Sequence, residues 1–383
     1  QSAYNDLLTI PASATTKGET WYFTVKPKDG TAFGTLQTSP SVVIQNSPPT
    51  APVIDVTPNL PVTTDDLLCT ITTPSTDPDG DMIIYIYDWY KNNILQPALT
   101  SNTVSASYTT KGEVWKCKVT PYDYTINGTS AQDEVTIQNS PPAASDLAIT
   151  PSSPKTTDDL VGSYTYYDPD SDPQSGSEIR WYKNNTLQSA YNDLLTIPAS
   201  ATTKGDVWYF TVRPKDGTAF GTLQASPIVT VLNSPPVASD LAISPSSPKT
   251  TDDLVGSYTY YDADSDPESG SEIRWYKNDT LQSAYNDLLT IPASATTKGD
   301  VWYFTVKPKD GIEFGALQTS PSVNIENSPP TAPVVDVTPN LPVTTDDLLC
   351  TITTPSTDPD GDTITYIYAW YKDTILQPAL TTD

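Results

Sequence analysis

Apolar and polar residues alternate along this chain in short runs, each closed by a turn sequence. Between residues 83 and 90, Tyr85, Tyr87 and Trp89 fall on one side and Ile84, Ile86 and Asp88 on the other, the period of two that a half-buried strand requires. The same reading over 47–139 predicts strands at Val53 to Thr57, Leu67 to Thr72, Ile83 to Tyr90, a short one at Val104, Val114 to Val119 and Glu134 to Gln138. Turns are expected at Pro78-Asp79-Gly80, Lys111-Gly112 and Asn127-Gly128, where Gly, Asp and Asn relieve the backbone. No segment long enough to be a helix shows a period of 3.6.

The pattern recurs. Asn-Ser-Pro-Pro begins at Asn46, Asn139, Asn233 and Asn327; Trp-Tyr-Lys opens at Trp89, Trp181, Trp275 and Trp370; Thr-x-Lys-Gly places Lys17, Lys111, Lys204 and Lys298. The chain thus reads as three whole units, 47–139, 140–233 and 234–327, flanked by the back part of a unit (1–46) and the front part of another (328–383). About seven short strands in roughly 94 residues, with turns every 8–12, is the signature of an immunoglobulin-like β-sandwich. The expected fold class is therefore all-β: tandem sandwiches forming an extended rod.

Composition narrows what such an array does. Across 383 residues there are 37 Pro, 8 Trp and 23 Tyr but no His, and the net charge is −26. Proline alone would suit disorder, but the aromatic content supplies ample surface to bury. Without histidine there is no Ser-His-Asp triad, no His-bearing zinc site and no imidazole base. The acidic balance argues against nucleic acid and anionic membrane surfaces as partners. No run approaches 18 apolar residues, so no membrane insertion is expected in this segment.

Two kinds of unit differ at a pair of core positions. In 47–139, Cys69, Trp89 and Cys117 follow the order Cys…Trp…Cys, which predicts a Cys69–Cys117 bridge between the sheets; two reduced buried thiols are the alternative. The other kind has Gly162 with Phe210, and again Gly256 with Phe304, a ring on one side and a hydrogen on the other that roughly keep core volume. A structural bridge implies an oxidising, extracellular setting.

Thr63-Thr64-Asp65-Asp66-Leu67, the Asp-x-Asp-x-Asp run, Trp-Tyr-Lys-Asn, Thr-x-Lys-Gly-[Asp/Glu]-x-Trp and Val-x-Pro-x-Asp-Gly give the units a resemblance. They resemble the tandem Ig-like repeats, akin to fibronectin III, PKD and cadherin-like modules, of large archaeal and bacterial cell-surface proteins. The resemblance covers the whole chain. It implies a structural, non-enzymatic role at the cell surface. It does not select among adhesins, stalks, surface-layer components and fibres.

The acidic runs are the candidate chemistry. Asp77, Asp79 and Asp81 alternate, as do Asp168, Asp170 and Asp172, Asp262, Asp264 and Asp266, and Asp358, Asp360 and Asp362. Hard oxygen ligands at positions 1, 3 and 5 suit a structural Ca²⁺, though no Glu stands at position 12 as in an EF-hand. The ion is expected within one unit. A junctional alternative joins Asp158 or Asp159 of one unit to Asp262 and Asp264 of the next, and an ordinary solvated turn is the plain reading. Sequons at Asn127, Asn184 and Asn278 lie in expected loops and are candidate glycan acceptors. A carboxylate pair such as Asp172 and Glu178 could in principle hydrolyse a glycoside, but no unit carries an insertion that shapes a pocket. Trp89 and Trp115 alternate into the core, whereas Tyr90 and Tyr182 point outward and suit lateral contact.

The expected function is a segment of a long extracellular rod or filament serving attachment or cell–cell contact, joined by semi-rigid Pro-Pro linkers. Its partners are other copies along or between filaments, or neighbouring surface components. The alternatives are an adhesin whose repeats bind a glycan or protein, and a spacer in a larger secreted enzyme. The partial units at the ends read as a window on a longer chain, with complementation between subunits as the other possibility.

Overall fold

A computed structural model of the chain describes residues 4–378. Unit 47–139 holds seven strands: β1 (Val53–Thr57), β2 (Leu67–Thr73), β3 (Ile84–Lys91), β4 (Ile94–Leu95), β5 (Thr103–Val104), β6 (Val114–Tyr122) and β7 (Ala131–Thr136). They build two antiparallel sheets, β1-β2-β5 and β7-β6-β3-β4. Inner faces are apolar because the side chains alternate: on β6, Trp115, Cys117 and Val119 are buried while Lys116 and Lys118 lie outward. The fold is a tandem array of immunoglobulin-like β-sandwiches, and its only helical segments among the described residues are three-residue 3₁₀ turns.

Unit 140–233 repeats the plan with β8 (Ala143–Thr150), β9 (Leu160–Tyr167), β10 (Glu178–Lys183), β11 (Thr186–Leu187), β12 (Thr196–Ile197), β13 (Val207–Arg213), β14 (Gln224–Ala225) and β15 (Val229–Thr230). Its sheets are β8-β9-β12 and β11-β10-β13-β14, with β15 also pairing to β13. The last strand is cut in two at Pro227, which has no N–H to give the ladder. Ser226 covers the gap: its backbone N–H donates to Phe210 O at 2.9 Å, and its Oγ accepts from Phe210 N at 3.1 Å. Unit 234–327 has the same topology. At the ends, Thr20–Trp21 pairs with Val42–Val43, and Val334–Thr338 with Leu349–Thr354.

The two kinds of core fill the same space differently. Trp89 and Trp115 meet edge to face at 6.5 Å, and Trp181 and Trp208 do so at 6.3 Å, the arrangement that ring quadrupoles favour. A Cβ on Gly162 would stand 3.0 Å from Phe210 Cε1 and 3.1 Å from Trp181 Cζ2. The phenyl ring thus occupies the volume that any side chain at position 162 would need. In 47–139 the corresponding residues are Cys69 on β2 and Cys117 on β6, both buried and both free thiols in this structure. The hydrogen bond to Cys69, reinforced by burial, pushes the Cys117 thiol up from its ordinary value.

Strand edges differ from the sequence pattern in places. The last strand of 47–139 runs Ala131–Thr136, not Glu134 to Gln138: Ala131, Gln132 and Asp133 pair with Val119, Lys118 and Cys117, and Gln138 leaves the ladder for a parallel bridge with Val62. There its N–H donates to Pro61 O at 2.6 Å. Leu232 and Glu326 make the same bond to Pro154 and Pro248. The segment after the first strand therefore crosses from one sheet to the edge of the other and ties both to the exit of the unit.

Candidate metal and junction site

Each acidic run shapes its own loop. Asp168 Oδ1 accepts the backbone N–H groups of Asp170 at 2.8 Å and Asp172 at 3.1 Å; Asp77, Asp262 and Asp358 fold their loops in the same way. Those bonds turn the second and third carboxylates toward the first. In each of the four runs the three residues bring oxygens within 4.8 Å of one another. The other oxygen, Oδ2, of Asp77, Asp168 and Asp262 is buried and has no hydrogen-bond partner.

The rest of the site comes from the linker and the preceding unit. Ser140 N donates to Asp170 Oδ2 at 2.6 Å, and Asn139 Nδ2 donates to Asp216 Oδ2 at 2.7 Å. Lys111, in the Thr-x-Lys-Gly turn of the preceding unit, donates to Asn139 Oδ1 at 3.0 Å and forms an ion pair with Asp172. The set repeats as Lys17, Asn46 and Ser47 with Asp81, Asp123 and Asp79, and as Lys204, Asn233 and Ser234 with Asp266, Asp310 and Asp264. At the fourth boundary Lys298 holds Asn327 and Asp362, and Ser328 N donates to Asp360. Thr63 and Thr250 add contacts from the preceding unit to Asp170 and Asp360.

Electrostatics follows from this crowding. The hydrogen bond from Lys111 to Asp172 and the nearby Asp170 and Asp168 raise the lysine above its ordinary value; Lys17, Lys204 and Lys298 are raised likewise by their own acidic runs. Asp216 feels burial, which pushes its carboxyl up. The hydrogen bond from Asn139 and those from the Ala219 and Thr218 N–H groups outweigh it and hold the carboxyl below the usual range. Asp310 and Asp123 are held low in the same manner. Burial, with Asp168, Asp216 and Asp172 close by, pushes Tyr166 up to about 12. Four carboxylates surround one ammonium at each of the three complete joints, so each keeps an excess of negative charge.

Pro142 O lies where a Cβ on Gly221 would stand, only 1.8 Å away. Gly315 and Gly128 receive Pro236 and Pro49 in the same way. The linker backbone is seated on the glycine turn that follows β6 in 47–139 and β13 in 140–233, and no other residue leaves that space.

The junctional alternative, with Asp158 or Asp159 as ligands, finds those carboxylates engaged elsewhere. Asp158 accepts from Lys155 N at 2.8 Å and Asp159 from Ala199 N at 2.7 Å, so both carboxylates serve their own loops and do not turn to Asp262 and Asp264. The preceding unit meets the acidic run with lysine instead. Those lysines, the linker Asn and Ser, and Asp123, Asp216 and Asp310 carry no local metal-ligand pattern; the one sequence signal for them is a recurring spacing from Asn-Ser-Pro-Pro. Asp172 and Glu178 have separate partners, Lys111 and Arg180.

Asn127, Asn184 and Asn278 are exposed. The side-chain amides of Asn184 and Asn278 also donate to Asp206 and Asp300 at 3.1 Å. On the outer face, Tyr182 stacks on Tyr209 with centroids 4.8 Å apart, and Tyr276 on Tyr303 at 5.0 Å. Among the described residues no helix is long and apolar enough to cross a membrane.

No protein-family model and no curated protein sequence matches the chain. Solved structures with similarity include the FN1–FN3 domains of chicken CNTN1, 9% identical over 73% of this chain and 100% of that one, with a TM-score of 0.26. Sidekick-1 immunoglobulin domains 1–5 are 12% identical over 82% of this chain and 68% of that one, TM-score 0.26. The N-terminal eight Ig domains of Down Syndrome Cell Adhesion Molecule are 12% identical over 81% of this chain, with a TM-score of 0.36; the chain spans 40% of that structure's length.

Proposed function

We propose that the chain is a load-bearing segment of an extracellular rod or fibre at a cell surface, where it spans distance for attachment or cell–cell contact. The observation that supports this reading is the recurrence of one joint at four successive boundaries, each with a lysine, an Asn-Ser linker and an acidic run in the same bonds. A flexible tether needs no such construction. A short Pro-Pro link held from both sides limits rotation at the boundary, and neighbours-only contact lets length grow without redesigning any core.

Small-angle scattering of the chain tests the mechanical part. The expected profile is that of a thin rod whose cross-section is one sandwich; a compact profile with units folded back on one another sinks the reading. Labelling of intact cells of the source with an antibody to the repeats tests location. Signal without permeabilisation is expected, and signal only after permeabilisation overturns the surface assignment.

A further inference from the structure

We propose that each complete joint is a Ca²⁺ site, with the ion seated on the unpartnered Oδ2 of the first aspartate of the run and on the two following carboxylates. The sites are Asp77/Asp79/Asp81, Asp168/Asp170/Asp172 and Asp262/Asp264/Asp266. The proposal stands on the joint's geometry whether or not the chain serves as a rod.

An acidic cluster alone is commonplace on a surface, so the argument turns on the first aspartate. Asp168 and Asp262 keep only 7% and 8% of their surface exposed, and Asp77 is half-buried with its Oδ2 covered. One oxygen of each is used by the loop, and the other is buried without a donor. Leaving a charged acceptor buried and unpaired is costly. A mere turn has no use for that cost, since asparagine at position 168 would accept the same two N–H bonds without the charge. The same aspartate also contributes an oxygen to a set of three, one from each carboxylate of the run, that lie within 4.8 Å of one another. That spacing suits one hard cation that takes six to eight oxygens at flexible angles, with water completing the shell.

The lysine of the preceding unit sets the affinity. Lys111 and Lys204 already neutralise the third carboxylate of their runs, Asp172 and Asp266. Ammonium and Ca²⁺ therefore compete for that carboxylate, and the joint exchanges one clamp for another. With four carboxylates around one lysine, enough negative charge remains for a divalent ion even when the lysine stays. The acidic run at Asp358 differs: its Oδ2 is not among the buried unpartnered oxygens, and it is expected to bind more weakly.

The test uses the full 383-residue chain, stripped with chelator and titrated with CaCl₂ by calorimetry. Tb³⁺ serves as a luminescent stand-in, excited through Tyr166 and Tyr260, which lie beside the runs. Three saturable Ca²⁺ sites are expected. D168N should remove one of them and the combination D77N/D168N/D262N all three, with far-UV dichroism unchanged because the amide oxygen keeps the loop bonds. Replacing Lys111 and Lys204 by Gln should tighten two sites by roughly tenfold, the effect of removing one positive charge about 5 Å from a divalent ion in wet surroundings. No saturable binding at about 10 mM Ca²⁺, or the same stoichiometry in D168N as in the native chain, overturns the proposal. Equal affinity for Mg²⁺ overturns the choice of ion.

Discussion

At the scale of single residues, one pair of core positions separates the two kinds of unit and was readable in advance. Gly162 beside Phe210 and Cys69 beside Cys117 solve the same packing problem, and the Trp on the third strand marks the position in both. What the residues do not give by themselves is oxidation state, because a buried thiol pair and a bridge need the same sequence. We expect the Cys69–Cys117 bridge to form when the chain folds in an oxidising medium, as an extracellular location requires. Its closed loop should hold unit 47–139 more stable by about 2–5 kcal/mol. Denaturant titrations with and without reductant, followed through thiol labelling, check this. The midpoint for 47–139 should fall on reduction while that for 140–233 stays put; equal labelling of Cys69 and Cys117 in the unfolded, non-reduced chain would show that no bridge had formed.

At the scale of elements, strands were legible wherever alternation was regular, as in Val53–Thr57 and Val114–Tyr122. They were not where tertiary bonds decide the edge: Pro61 draws in Gln138, and Pro227 divides in 140–233 the strand that is continuous as Ala131–Thr136 in 47–139. The joint was half legible. The acidic runs announce themselves, but Lys111 and Asp172 lie 61 residues apart across a unit boundary, and no local pattern links a turn lysine to the next unit's loop. The hydrogen-bonded aspartates and the ion-paired lysines together give the joint a two-sided pH dependence. Asp123, Asp216 and Asp310 have folded values below the ordinary 3.8. Their contribution is therefore full above that value and is lost as pH falls through the lowered folded values. Lys17, Lys111, Lys204 and Lys298 are raised above 10.5, so theirs is full below 10.5 and is lost as pH rises through the raised values. Hydrogen exchange at the Asn139 and Asn233 side-chain amides, which donate to Asp216 and Asp310 and accept from Lys111 and Lys204, corrected for the intrinsic pH effect, should show greatest protection between these limits. Protection that stays flat through the acid arm would mean that the carboxylates do not hold the linker.

At the scale of the whole molecule, the joints make the units interchangeable. Asn139-Ser140-Pro-Pro leaves the first whole unit and Asn233-Ser234-Pro-Pro leaves the second, and both deliver the chain into an Asp-x-Asp-x-Asp loop under the lysine of the preceding unit. Removing residues 140–233 therefore places Lys111 over Asp266, Asn139 against Asp310, and the new linker on Gly315, rebuilding the joint from parts that never met in the native chain. The cores on either side share no buried residue with the deleted unit. Their stabilities should thus stay within about 0.5 kcal/mol of the native values, as expected of sites without shared partners. The scattering length should shorten by one unit, and calorimetry should count one Ca²⁺ fewer. A shortened chain that loses stability in 47–139 or 234–327 would show that coupling extends past the nearest neighbour. In that case the array would be a single cooperative body, and the aspartates at each boundary would hold a fold together as well as a joint.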